Sequence, residues 1–261
     1  MNNRTFTLIF TAGLALILLF IVAPIVGMVI KTPLPRLFET IEDAEVRNSI
    51  LLTVISSIIA TLLIAVISLP AAWMLARKSF PLKRLVLGII DLPVVIPHTA
   101  AGIALLGMVS RDSALGQFAS SLGVNFIGHP AGIVMAMAFV SLPFFINSAR
   151  EGFASVPQRF ENAALNLGIS PLKVFLTISV PLASRHIVSG AVMMFARGMS
   201  EFGAIVILAY NPMTTPVLIF ERFSSFGLQY ARPVALLFIL ISIALFLLMR
   251  LLTKEPENVR N

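Results

Sequence analysis

Four ionisable side chains break into stretches of this sequence that are otherwise apolar: Asp91, His98, Arg197 and Glu201. A charged group inside a membrane span costs about 2.5–3.5 kcal/mol on insertion scales, so such groups face protein or water and serve function. Arg197 and Glu201 stand four residues apart, the spacing that sets an acid and a base on one face of a helix. Two readings of the pair stay open, a structural ion pair between helices and a pathway or gating element. Pro97, His98 and Ser200 complete the pathway or gate candidates. Gly198, Ser200 and Gly203 are small enough to let helices approach closely. His98, beside Pro97, reads as a capping or packing residue. Asp91 reads as a carboxylate near the N-terminal end of its helix, where the helix dipole favours it.

Catalytic chemistry finds little support. The run from Gly198 to Gly203 carries a serine between glycines but is not G-x-S-x-G. His98, His129 and His186 are scattered, no H-E-x-x-H occurs, and the absence of cysteine excludes thiol chemistry and cysteine-ligated metals. No catalytic residue and no metal ligand is assigned. No G-x-x-x-x-G-K-[ST] loop is present, so no nucleotide cofactor is expected on this chain. The formal charge of +7 does not point to nucleic acid, because the basic residues flank apolar runs rather than interleave with aromatics. Met193, Met194 and Met199 suit either ordinary packing or a soft sliding interface.

The elements that must position these groups are membrane helices. Hydrophobic residues make up 58% of the 261 and charged residues 12%, against about 45–50% and about 25% in soluble domains. A helix needs about 20 apolar residues to cross the hydrocarbon core. Six stretches qualify, at about 7–30, 49–76, 85–109, 130–149, 185–209 and 233–252, and prolines at 93, 97 and 143 are expected to kink the third and fourth. The fold class is therefore an all-α integral membrane protein of about six transmembrane helices, in contact with membrane lipid. The first stretch is longer than a signal-peptide core of about 7–15 residues and is read as a retained span. With the N-terminus inside, twelve lysines and arginines fall on cytoplasmic segments and six outside, so both termini are expected in the cytoplasm. Three loops are then external: 31–48 with a solvated acidic helix, 110–129, and 210–232 with a short interfacial helix around 219–223. The expected layout is an N-terminal helix and loop at 1–45, a membrane core at 46–252 and a cytoplasmic tail at 253–261.

One connector departs from the usual 2–8 residues between helices. Residues 151–184 carry the punctuation of two water-facing helices. Ser155 and Gln158 have capping-box spacing, with Pro157 in the first turn, for a helix reaching about Leu167. Phe160, Ala163, Ala164 and Leu167 would share its apolar face, with Arg159, Glu161, Asn162 and Asn166 opposite. Gly168 sits where a helix C′ residue takes positive φ. Ser170-Pro171 would start a second helix to about Val180, ended by Pro181.

This connector resembles the signature loop of ABC-transporter permease subunits, whose pattern is E-A-A, three residues, G, nine residues, I-x-L-P. Ala163, Ala164, Gly168, Ile178 and Pro181 match in register; Asn162 occupies the glutamate position with Glu161 one residue earlier, and Val180 replaces leucine. The stretch from Asp91 through Pro97-His98 to Leu105, the run Ala196–Ala204, and the triplets beginning at Glu151 and Arg185 resemble the molybdate/tungstate permease group and its sulfate relatives. The resemblance covers about residues 46–250. It implies the type I ABC importer permease fold in the cell membrane, alternating access, and a coupling helix docking on a cytoplasmic ABC ATPase. Phe160, Glu161, Asn162, Ala163, Ala164, Gly168, Ile178 and Pro181 would be the coupling residues. It also implies that ATP and Mg belong to an ATPase pair, that an external binding protein delivers the oxyanion, and that a second copy of the chain completes the pathway.

Overall fold

The computed structural model describes residues 3–252, with side chains described for residues 6–251, so the expected tail at 253–261 lies outside the described residues. The first helix, α1 (Asn3–Ile30), is apolar on every side, and its described side chains are mostly exposed, as suits a helix bathed in hydrocarbon. A short amphipathic α2 (Leu34–Glu42) leads to α3 (Ala44–Arg77), whose first turn is capped by Asp43 accepting from the Glu45 N–H at 2.8 Å. At 34 residues α3 spans about 50 Å. It buries Ser49, Thr53, Ser56, Ser57 and Thr61 against its neighbours, and the Ser57 hydroxyl donates to the Phe195 carbonyl at 2.8 Å. Small hydroxyl residues let membrane helices approach closely while their own polar atoms stay paired.

Next come α4 (Lys83–Val95) and α5 (His98–Val109), which meet at 110°. Pro97 cannot donate to the ladder and drives Ile96 into the extended region, so the chain turns there. The short α6 (Ala114–Ser121) precedes α7 (Pro130–Ser155), which packs on α3, α4 and two later helices and forms the centre of the bundle. Then follow α8 (Gln158–Asn166), α9 (Pro171–Val174), a π-turn Phe175–Ser179, α10 (Val180–Met199), α11 (Gly203–Leu208), α12 (Thr215–Phe226) and α13 (Leu228–Leu252). One core cluster, around Ile133, Met137, Val140, Ile205 and Leu208, lies between α7, α5 and α11. A second, around Ala72, Phe145, Phe153 and Met194, lies toward the end of the bundle that carries α8, here the handle end.

About six spans are present: among the described residues five helices are long and apolar enough to cross a membrane, and the bent pair α4–α5 makes a sixth when taken as one span. Other expectations are corrected. The fifth span was expected at 185–209, yet it begins at Pro171 and stops at Met199, and residues 200–202 separate it from α11. Pro181 therefore ends nothing. The π-turn before it opens the hydrogen-bond ladder where the proline has no N–H to give and its ring would meet the preceding turn. Ser155 caps no helix start either. The helix of the fourth span runs on to it, its hydroxyl donates to the Gly152 carbonyl, and α8 begins only after Pro157.

The acidic loop is not freely solvated. Arg222 of α12 donates to Asp43 at 2.6 Å and to Glu45 at 2.9 Å, tying α12 to the start of α3. Burial alone would push the Asp43 carboxyl up, but the Arg222 hydrogen bond and the Glu45 N–H outweigh it and hold it below its ordinary 3.8. A depressed folded value means the contact stabilises above pH 3.8 and is lost as the pH falls below it. With partly exposed partners the effect is under about 1 kcal/mol. Hydrogen exchange of α12 is expected to speed up in Arg222→Ala near neutral pH and to lose its acid sensitivity. Identical exchange in both proteins would contradict the clamp.

Candidate functional site

Two constellations stand out, one at the handle and one where two helices break. At the handle, Arg77 ends α3 and points under α8. Its Nε donates to both carboxylate oxygens of Glu161, at 3.1 and 3.0 Å, and its Nη2 donates to Oε1 at 2.8 Å and to the Val156 carbonyl at 3.0 Å. Ser179 of the π-turn donates to the same Oε1 at 2.7 Å, and the Trp73 indole at 3.3 Å. Burial pushes this carboxyl up, but the donors Arg77, Ser179 and Trp73 together hold it below its ordinary 4.5. One buried glutamate thus fastens α8 to α3 and to the start of α10.

The buried side of α8 does not follow its amphipathic division, which groups Phe160, Ala163, Ala164 and Leu167 on one face and Arg159, Glu161, Asn162 and Asn166 on the other. In the structure Glu161 and Ala164 are buried, whereas Phe160 is 44% and Leu167 81% exposed. Asn162 and Ala163 are exposed as well. A step of about 100° per residue makes Glu161, not Asn162, the residue that turns inward. The outcome is a short helix with its acid inside and much of its apolar surface outside, and contiguous exposed apolar surface marks an interaction site. Leu172, just beyond the turn, adds to that surface. Gly168 takes φ +79°, as its place at the helix end requires, and a Cβ there would meet nothing within 4 Å. Ile178 is half-buried within the π-turn, and Pro181 is exposed.

The second constellation unites four of the sequence candidates, Arg197, Glu201, His98 and Ser200. Glu201 is fully buried in the break between α10 and α11. Its Oε1 accepts the Ala204 N–H at 2.8 Å, capping α11, and its Oε2 accepts from Arg197 Nη2 at 3.0 Å and lies 3.1 Å from His98 Nδ1. Arg197 Nη2 also approaches both ring nitrogens of His98, at 2.8 and 2.9 Å. Arg197 Nη1 donates to the Ser200 hydroxyl at 3.3 Å. Pro97 stands exposed at the N-cap of α5, so that helix also begins at this spot. A Cβ on Gly203 would fall 2.8 Å from His98 Cβ, and one on Gly102 would fall 2.9 Å from the Ala204 carbonyl. The two broken helices therefore cross with almost no side chain between their backbones.

Sequence reasoning found the Arg197–Glu201 spacing but missed the break beside it. The available signal was Glu201 three residues ahead of Ala204, the spacing of a side-chain cap. His98 is more than a packing residue, since it faces both members of the ion pair. Asp91 is not at a helix start: it lies in the third turn of α4, where its carboxylate accepts from Asn147 of α7 at 2.7 Å. A carboxylate that deep in an apolar helix needs a donor, and Asn147 supplies it.

The family described as "binding-protein-dependent transport system inner membrane component" matches residues 68–256. A molybdate/tungstate transport system permease protein of Pyrococcus furiosus is 40% identical over 261 residues, covering 99% of this chain and all of its own. Its counterpart in Methanocaldococcus jannaschii is 39% identical over 246 residues, covering 94% of this chain and 96% of its own. A probable sulfate transport system permease protein of Nephroselmis olivacea is 30% identical over 254 residues, covering 95% and 89%. Among solved structures, a bacterial ABC transporter involved in import of the acidic polysaccharide alginate has a chain similar in fold, with TM-score 0.74 at 14% identity over 99% of this chain and 97% of that one.

Proposed function

The chain belongs to the family of binding-protein-dependent transport inner membrane components, and from that premise we propose that it forms the translocation pathway of an ATP-driven importer for molybdate or tungstate. It has the type I ABC importer permease fold and is a multi-pass membrane protein. The observation that carries the reading is α8, held from within by Glu161 and presenting Phe160, Ala163 and Leu167 outward. A helix so anchored transmits a push rather than absorbing it. The substrate class rests on the relatives, since the two named for molybdate/tungstate share 39–40% identity and the one named for sulfate 30%.

In this account the membrane is the cell membrane and α8 faces the cytoplasm, as do both termini. A cytoplasmic ATPase pair carries ATP and Mg and receives the outward face of α8 in a cleft. A second copy of the chain completes the pathway, because one set of five or six spans leaves little room for an enclosed one. An external binding protein delivers the oxyanion. Movement of α8 passes through Arg77 to α3 and through Ser179 to α10, a helix about 30 Å long whose far end is the Arg197–Glu201–His98 cluster. That cluster, with Pro97 and Ser200, is the gate. Alternating access follows from rocking α10 while α5 and α11 cross at a fixed point.

Single cysteines test the docking. Phe160→Cys, Ala163→Cys and Leu167→Cys are expected to crosslink to a co-expressed ATPase, and the buried Ala164→Cys is not. Absence of crosslinks at all three exposed positions contradicts the assignment. At the turn, Gly168→Val has open space for its side chain but a left-handed backbone to adopt, at roughly 1–2 kcal/mol. The expected result is normal insertion with ATP hydrolysis uncoupled from uptake; unchanged coupled uptake would contradict a docking role for this corner.

A further inference from the structure

At the end of the bundle opposite the handle, α1 leans on the corner between α12 and α13 without closing against it. A cleft of about 450 Å³ opens there, lined by apolar surface from Pro24, Gly27, Phe223 and Ala235 among others, with Lys31 and Arg232 also on its wall. A second cavity, of about 230 Å³, shares Lys31 and Arg232 and adds Arg36 and Gln229. Among the described residues no aspartate or glutamate lines either space. The cations are also held in place. Arg232 Nη1 donates to the Lys31 carbonyl at 2.8 Å, and the Arg36 guanidinium lies 5.4 Å from the centre of the Tyr230 ring.

We propose that this paired cavity is a binding site for an anionic, phosphate-headed membrane lipid, with a hydrocarbon chain in the α1–α12–α13 cleft and the phosphate among Lys31, Arg36 and Arg232. Lys31 directly follows the last residue of α1, and Arg232 lies in the second turn of α13, so the basic pocket sits where two apolar helices meet the membrane surface. The cleft has a volume within the range of about 300–1,000 Å³ usual for ligand sites, and one wall of it is α1, whose described side chains are mostly exposed. An uncharged hydrocarbon in the cleft would leave three cations without a counter-ion. A soluble anion in the basic pocket would leave the apolar cleft empty. A lipid bearing a phosphate fills both at once, and basic pockets between membrane helices take anionic headgroups on the same physical grounds. This site is separate from the handle and the gate, and it stands whether or not the transported ion is molybdate or tungstate.

The test is native mass spectrometry of the assembled transporter exchanged into mixed micelles of phosphatidylglycerol and phosphatidylcholine with matched chains. The intact complex is expected to retain phosphatidylglycerol at least tenfold over phosphatidylcholine. The variant Lys31→Gln/Arg232→Gln is expected to lose that preference. Gly27→Phe, which fills the cleft from a position with open space at its Cβ and changes no charge, is expected to lose the lipid altogether. Monodispersity and basal ATPase rate serve as folding controls for both variants. Equal retention of the two lipids, or retention unchanged in both variants, overturns the proposal. Competition by inorganic phosphate with Gly27→Phe still binding it also overturns it, because that pattern belongs to a soluble-anion site.

Discussion

Glu161→Ala is expected to cost about 3–5 kcal/mol in stability and to abolish ATP-driven uptake. Removing one partner of a buried ion pair strands the other, which is the origin of that magnitude. Here the stranded groups are the Arg77 guanidinium, left with only the Val156 carbonyl, and the Ser179 and Trp73 donors that shared the same oxygen. The side chains of Arg77 and Glu161 are 6% and 8% exposed, so water does little to compensate. Thermal melting of the purified complex reads the effect. Glu161→Gln keeps acceptors for Ser179 and Trp73 and is expected to fall between wild type and alanine. Pairing Glu161→Leu with Arg77→Met is expected to recover most of the melting temperature, because apolar replacement of a whole buried pair is often neutral. An unchanged melt for Glu161→Ala would contradict the anchoring role. Because this carboxyl is held below 4.5, its contribution is present above that pH and fades as the pH drops beneath it.

The second large effect belongs to Glu201. Glu201→Ala removes the α11 cap, worth about 0.5–2 kcal/mol, and leaves Arg197 without its carboxylate inside a span, worth about 2.5–3.5 kcal/mol. A loss of about 3 kcal/mol appearing in the transport cycle corresponds to roughly 100-fold in rate. Glu201→Gln separates structure from function. Its amide oxygen still accepts the Ala204 N–H, so the melt is expected to shift little, while the charge that positions Arg197 and His98 is gone. A gate predicts at least a tenfold fall in uptake for this variant with hydrolysis retained. Uptake equal to wild type would leave the cluster as a structural ion pair between α5, α10 and α11.

Much of this was readable from composition and spacing, and the misses share a cause. The apolar spans, the turn at Gly168 and the break at Pro97 follow from local chemistry: hydrocarbon length, a left-handed residue, a missing N–H. The orientation of α8 does not. Its amphipathic pattern groups Glu161 with the polar residues Arg159, Asn162 and Asn166, but the partner that draws Glu161 inward, Arg77, lies 84 residues away in sequence. Glu161 had no visible counter-ion until α3 was laid beside α8. The π-turn at 175–179 has no sequence signal comparable to a proline or a cap, so from sequence Pro181 reads as a stop, whereas the ladder opens to admit it. The break after Met199 was hidden by the apolar run 203–208, which continues the hydropathy of α10 in a different direction. In the second cluster, spacing along α10 predicts the pair Arg197–Glu201, whereas His98 joins it only through the crossing of α5.

The most direct test of the account is uptake by proteoliposomes that contain this chain with its ATPase partner, with ATP and Mg on the ATPase side and the binding protein outside. The account predicts ATP-dependent accumulation of radiolabelled molybdate and tungstate in preference to sulfate, and loss of accumulation in Glu161→Ala. Flux that equilibrates without ATP, or sulfate taken in preference to both, would contradict it.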